Sequence, residues 1–254
     1  MRVVLLTQDE PLFLAPSIDY LLSRKPSGIE VVGCVVFDPS PLGKKVGMGA
    51  RAKELLRVFG PAYFIRYAAM FALARVRPTR QLGAILRRYG IFELRLEGNV
   101  NAPESLEAIR QLQPDLLVSV AGNQIFRRPL IDLAPKGCLN VHSALLPKYR
   151  GLMPTFWVLK NGEKETGVSV FMVDEGIDSG PIVVQKRVPI DSDSLEQLIR
   201  RTKVIGMDAV WEAVEKLRSG NAELIPNPES EKSYFSFPTR ADVSAFRAAG
   251  KRLY

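Results

Sequence analysis

The segment 115–120 (Asp-Leu-Leu-Val-Ser-Val) is apolar at nearly every position and lacks the in–out alternation of a half-solvated strand. Such a run suits a strand covered on both faces, which is the environment of a parallel sheet flanked by helices. The start of the chain points the same way. Val3 to Leu6 and Ile29 to Phe37 read as strands, and between them Ile18, Leu21 and Leu22 recur at helical spacing. Strand, helix and strand in that order make a βαβ unit with a right-handed crossover. An α/β fold with a mainly parallel sheet is therefore expected.

A chain of 254 residues with 46% hydrophobic content can bury a large core, so disorder is excluded. Cys34 and Cys138 both fall in expected strands and read as small buried hydrophobes in a reducing cytosol. The N-terminus runs straight into a strand without the layout of a signal peptide, so a cytoplasmic protein is expected. The most apolar stretch, Ala62 to Val76, is interrupted by Arg66 and Arg75. It is too short to span a bilayer and reads as a buried or interfacial helix. The net charge of +8, much of it from Arg75, Arg77, Arg80, Arg87 and Arg88, favours anionic partners: nucleic acid, nucleotide-linked substrates or anionic lipid.

Further elements follow from pattern. Residues 39–90 read as a helical insertion between sheet elements, with Leu82, Ile85, Leu86 and Tyr89 on one helical face. A short strand is expected over 92–96. Asn101 followed by Glu104 reads as a capping box opening a helix to about Gln113. Residues 121–124 form a loop, 129–133 a short helix, 137–142 a strand, 155–160 a helix, and 167–173 and 182–188 a strand pair. A long helix covers 194–219, capped by Ser192 or Asp193 and ended by Gly220. Residues 1–220 are thus expected to form one domain, and 221–254 a C-terminal extension. In the extension, Thr239 to Asp242 caps a last helix with Val243 and Phe246 inward. The aromatic group Tyr234, Phe235 and Phe237 either plugs the tail onto the domain or stacks on a base.

The chemistry concentrates around the one histidine of the chain, in Asn140-Val141-His142. Residues two apart on a strand share a face, so an amide donor and a titratable imidazole project together. The loop Ser143 to Gly151 follows, broken by Pro147 and Gly151. Downstream lies Asp174-Glu175-Gly176-Ile177-Asp178-Ser179-Gly180. Its carboxylates do not follow the alternation of a calcium loop, and one histidine with two separated cysteines gives no zinc spacing. No metal is expected. Taken alone, Asp178-Ser179-Gly180 is an ordinary Asx turn.

In order, Asn140-Val141-His142, Ser143 to Gly151, Asn161-Gly162, Glu165-Thr166-Gly167-Val168 and Asp174 to Gly180 form a series that resembles the 10-formyltetrahydrofolate-dependent formyltransferases. That family includes enzymes acting on methionyl-tRNA, glycinamide ribonucleotide and sugar nucleotides. The resemblance is close over 101–190 and loose before it. It implies a Rossmann-like formyltransferase fold and a folate-dependent N-formyltransferase using 10-formyltetrahydrofolate as cosubstrate. It places the catalytic Asn, His and Asp on Asn140, His142 and Asp178. It places the folate-binding segments on Val120, Ala121, Gly122, Asn123, Gln124 and Ile125, and on Asp174, Glu175, Gly176 and Ile177. Formyl transfer to an amine develops an oxyanion that needs placed donors, and the amine must lose a proton. Asn140 and a protonated His142 supply such donors, with Asp178 orienting the imidazole and assisting proton transfer.

The acceptor is less constrained. The loop Thr7 to Phe13 is acidic and lacks the glycines that would cradle a phosphoribosyl phosphate. The 34 residues after Gly220 are too few for a tRNA-binding barrel. A primary amine on a nucleotide-linked sugar, contacted by Lys148 and Arg150, fits both observations and the positive charge, whereas nucleic acid fits poorly. A methionyl-tRNA formyltransferase-like enzyme and a catalytically silent folate- or nucleotide-binding module stay as alternatives, and a homodimer is compatible with the sequence.

Overall fold

The computed structural model describes residues 1–37, 47–96 and 98–254. A seven-stranded sheet forms its centre, in the order β3 (Glu93–Arg95), β2 (Glu30–Phe37), β1 (Arg2–Gln8), β4 (Leu116–Val120), β5 (Cys138–His142), β7 (Glu165–Met172), β8 (Ile182–Pro189). The first five are parallel neighbours, whereas β7 runs antiparallel to both β5 and β8. The sheet is thus mainly parallel with an antiparallel edge. From β1 the chain steps outward to β2 and β3, then returns to the other side of β1 as β4. This reversal opens a crevice beyond the strand ends, the place where such sheets bind ligands.

Alternation along β1 explains the two layers. Val3 and Leu5 face one way, with α1 (Leu14–Ser23), α4 (Leu82–Arg88) and α8 (Leu195–Ser219). Val4 and Leu6 face the other, with α5 (Pro103–Arg110) and α6 (Arg128–Ile131). Every residue of β4 is buried, as its unbroken apolar run requires. Cys34 and Cys138 are fully buried in this core, and desolvation pushes both thiols up from their ordinary value.

The insertion between β2 and β3 folds as α2 (Met48–Phe59) and α3 (Pro61–Arg75), then a short 3-10 turn and α4. Residues 39–46, the first part of the expected insertion, lie outside the described residues. A third apolar cluster joins α2, α3, α7 (Pro154–Lys160) and α9 (Arg240–Ala248).

Two expected caps are corrected. Asn101 does not cap α5, whose N-cap is Ala102 without a side-chain bond. Its amide instead donates to the Ile125 carbonyl at 2.9 Å and accepts from the Arg127 N–H at 2.8 Å. A loop reaching back across the chain outcompetes the local box. Helix α8 is capped by neither Ser192 nor Asp193 but by Ser194, in a reciprocal box with Gln197. Gly220 ends α8 with φ +75°, a conformation glycine takes at little cost.

The tail crosses the loop that follows β5. Arg150–Gly151 (β6) pairs in parallel with Tyr234–Phe235 (β9). Phe235 stacks between Tyr149 and Trp157, with ring centroids 5.3 and 4.8 Å away, and Trp157 Nε1 donates to the Ser236 carbonyl at 3.0 Å. Of the two aromatic readings, the docking plug is therefore the one that Phe235 follows.

Candidate functional site

Strand β5 lies between β4 and β7, and its last residues open into the crevice. Asn140 pairs with Ser119 on one side and Phe171 on the other; His142 pairs with Ser169. These neighbours hold the two side chains on one face. The loop after His142 is fastened from β7 and β8. Ser169 Oγ accepts from the Leu146 N–H and donates to the Ala144 carbonyl, while Gln185 Nε2 donates to the Leu146 carbonyl.

His142 is buried, 6% exposed. Its Nε2 lies 2.7 Å from the Tyr149 carbonyl. A carbonyl only accepts, so Nε2 carries a proton. Nδ1 faces Asp178 Oδ2 at 3.6 Å. The same carboxylate oxygen accepts the Gly151 N–H at 2.8 Å. The ring is thus oriented from both sides, and a proton on Nδ1 has an acceptor facing it. The Asn140 amide makes no hydrogen bond among the described residues, and its Oδ1 is buried without a partner. Buried polar groups usually find a partner, and this amide is among the few buried side-chain groups that lack one.

These three side chains share a cavity of about 610 Å³, within the size range of small-molecule sites. Ala121 to Ile125 line one part of it, with Phe126 beside them, and Asp174, Gly176 and Ile177 line another. Ile125 and Ile177 are 58% and 51% exposed and leave apolar surface on the cavity wall. Val120 and Glu175 do not line the cavity. Val120 is buried in β4, and Glu175 is exposed and turned to Arg128 Nε at 3.3 Å. Among the described residues, five other than glycine have positive φ, and three of them (Ala121, Met153 and Asp178) line this cavity. Strained backbone of this kind concentrates where surrounding structure fixes a site.

The expected acceptor contacts, Lys148 and Arg150, do not line this cavity. Arg150 is 3% exposed and absent from the cavity. Its guanidinium is spent on the tail, pairing with Glu229 and donating to the Asn227 carbonyl and Oδ1 at 3.1 and 3.0 Å. A buried guanidinium needs such partners, and of its nitrogens Nε is left without one among the described residues. Lys148 is exposed and likewise does not line the cavity.

Other residues take part that pattern reading did not single out. Asn227 Nδ2 donates to the Asp178 and Gly180 carbonyls, both at 2.9 Å, and so ties the tail to the Asp178 loop. Its position between Pro226 and Pro228 was the available signal, since a rigid segment can carry an amide at a fixed place. Lys203 follows Leu195 and Ile199 at four-residue steps on α8, and all three line the cavity. Burial pushes its ammonium down from 10.5, with Glu10 acting the other way. No hydrogen bond or ion pair holds it among the described residues. Arg51, from α2, is a second cation on the cavity wall. No group of three or more His, Cys, Asp or Glu able to hold a metal ion occurs among the described residues.

The parallel sheet with its reversal after β3 and the asparagine–histidine–aspartate cluster beside its strand ends define an α/β protein with a ligand-sized cavity at the crevice. The family model for formyl transferase matches residues 1–214, and the chain belongs to that family. It is 39% identical over 160 residues to the methionyl-tRNA formyltransferase of Kosmotoga olearia, covering 63% of this chain and 51% of the relative. The chain thus spans about half the length of the curated relatives it matches. Among solved structures it is similar to the phosphoribosylglycinamide formyltransferase of Anaplasma phagocytophilum (TM-score 0.62, 16% identity, 94% of this chain and 99% of that one). It is also similar to the N-formyltransferase of Helicobacter canadensis in complex with folinic acid and dTDP-3-aminofucose (TM-score 0.57, 18% identity, 95% and 72%). These structural likenesses establish the fold.

Proposed function

We propose that this protein transfers a formyl group from 10-formyltetrahydrofolate to a primary amine, with Asn140, His142 and Asp178 as the catalytic group. The observation that carries the reading is that one cavity collects all three side chains together with segments 121–126 and 174–177. The folate ring system is assigned to those two segments, where backbone groups and the exposed Ile125 and Ile177 suit a flat heteroaromatic. Residues 1–220 act as the catalytic domain, and 221–254 as an extension that braces it.

Attack by the amine builds negative charge on the formyl oxygen, and the Asn140 amide, without a hydrogen bond among the described residues, is the donor for it. Donors preplaced for an oxyanion contribute more to rate than to ground-state binding. The proton released by the amine passes to the His142–Asp178 pair, whose geometry keeps Nδ1 directed at a carboxylate; collapse of the tetrahedral intermediate then breaks the formyl carbon–N10 bond, and N10 takes up that proton as tetrahydrofolate leaves.

The acceptor assigned is a nucleotide-linked amino sugar. The support is chemical: Lys203 lines the same cavity without a hydrogen bond or ion pair among the described residues, and an anionic group on the acceptor answers its charge. The similar Helicobacter canadensis enzyme is described with a dTDP-linked amino sugar. The identity to methionyl-tRNA formyltransferases favours methionyl-tRNA as a second reading. Parallel assays with 10-formyltetrahydrofolate separate them. Formylated sugar nucleotide, read by its mass gain, is expected; efficient formylation of charged methionyl-tRNA with no sugar product would transfer the assignment to the second reading.

A further inference from the structure

We propose that the helical insertion seats the protein on an anionic lipid surface through one face of α3. The geometry of that helix is unusual. Tyr63, Phe64, Tyr67, Met70, Phe71 and Ala74 are the residues turned to the protein. Tyr63 packs on Phe59 and Tyr254 with ring centroids 5.0 and 6.3 Å away. On the opposite side, Ala62, Ile65, Ala69, Ala72, Leu73 and Val76 are all exposed. At 100° per residue these six positions fall within one narrow arc. Ile65, Leu73 and Val76 are 66%, 51% and 73% exposed, and nothing among the described residues covers them. The helix is therefore apolar on two faces, of which the fold uses one.

Charge selects the occupant. Residues 48–89 hold nine Lys and Arg against the single acid Glu54. Their net charge of +8 equals that of the whole chain, so the rest of the molecule is close to neutral. Lys53, Arg77 and Arg87 are exposed and have no acidic partner among the described residues. Arg75 flanks the apolar arc on one side, and on the other lies Arg66, whose guanidinium pairs with Glu196 at 2.8 Å. An aliphatic strip bordered by arginines matches the boundary between acyl chains and anionic headgroups. A second copy meeting this face would bring two such cationic surfaces together. A nucleic acid would answer the charge but leave Ile65, Leu73 and Val76 without a partner. Among the described residues no helix is long and apolar enough to cross a membrane, and the surface attachment inferred here needs none.

The test is co-sedimentation of the full chain with vesicles of phosphatidylglycerol and phosphatidylcholine, against phosphatidylcholine alone. Binding to the anionic vesicles, weakened by salt, is expected. The combined variant Ile65→Ser, Leu73→Ser, Val76→Ser and the pair Arg75→Gln, Arg77→Gln should each bind about tenfold more weakly. Their melting temperatures should be unchanged, because these side chains are exposed. Three results would overturn the proposal: no vesicle binding at low salt; wild-type binding retained by both variants; or self-association in ultracentrifugation, without vesicle binding, that the triple substitution abolishes. Retention of tRNA by a protein that ignores vesicles would assign the charge to nucleic acid instead.

Discussion

Lys203 shows how a single residue can serve a site against the stability of the fold. Its ammonium is partly buried with no ion pair among the described residues, and desolvation, only partly opposed by Glu10, holds its pKa below 10.5. The unfolded chain binds that proton more tightly than the folded one. Lys203 therefore weakens folding at neutral pH, and that loss is recovered as pH rises from the lowered folded value toward 10.5. Replacing it with Met should raise the melting temperature by about 2 °C at pH 7, with a smaller gain at pH 10. The same variant should raise KM for an anionic acceptor and leave that for folate alone, as expected for uniform binding. Calorimetry at the two pH values, with steady-state kinetics, checks both halves; an unchanged acceptor KM would remove Lys203 from the acceptor site. Nothing in the sequence marked this lysine, because its significance comes from Leu195 and Ile199 sharing its face of α8 and from what α8 packs against. Asn140 and His142 were legible because a strand's alternation fixes them locally. Asp178 was not fixed locally: its place beside the imidazole depends on the antiparallel edge of the sheet and on a left-handed φ of +49°.

At the scale of elements, the docked tail makes Arg150 a structural residue. Arg150→Ala removes the anchor of Asn227 and leaves the Asp178 loop without its brace. It should lower stability by about 2 kcal/mol in urea unfolding, with lost turnover following from the loosened Asp178. A variant of full stability with only acceptor KM raised would restore the substrate-contact reading. Helix α9 offers an independent check. Thr239 and Asp242 cap it reciprocally. Burial alone would raise the Asp242 carboxyl, but hydrogen bonds from Thr239 and the Lys160 ammonium at 3.2 Å hold it below 3.8. Its stabilisation is thus present above pH 3.8 and lost as pH falls through the lower folded value. Thr239→Ala should cost about 1 kcal/mol at pH 7, and Asp242→Asn should flatten the acid side of the stability profile; an unaltered acid limb would contradict the capping account. Capping at α9 was legible from Thr239-Arg240-Ala241-Asp242, whereas Asn101 misled. An Asn three residues before a Glu satisfies the local pattern, but the chain at 125–127 offers its amide better-placed partners.

For the whole molecule, the burial pattern of the apolar runs determines most of the architecture. Strands β1, β2 and β4 were legible as unbroken hydrophobic segments, and the parallel sheet followed. The crossing of the tail over the loop at 149–151 was not, because it depends on pairing between segments more than 80 residues apart. The central proposal at this scale is that the cavity transfers a formyl group with the Asn140 amide at the developing oxyanion. The direct measurement is release of tetrahydrofolate from 10-formyltetrahydrofolate in the presence of an amine acceptor, by wild type and by Asn140→Ala, alongside equilibrium folate binding by both. The prediction is acceptor-dependent turnover that falls by ~10²–10³ in the variant while folate affinity holds. Acceptor-dependent turnover retained by Asn140→Ala at near the wild-type rate, or folate binding without turnover across amine acceptors, would contradict it.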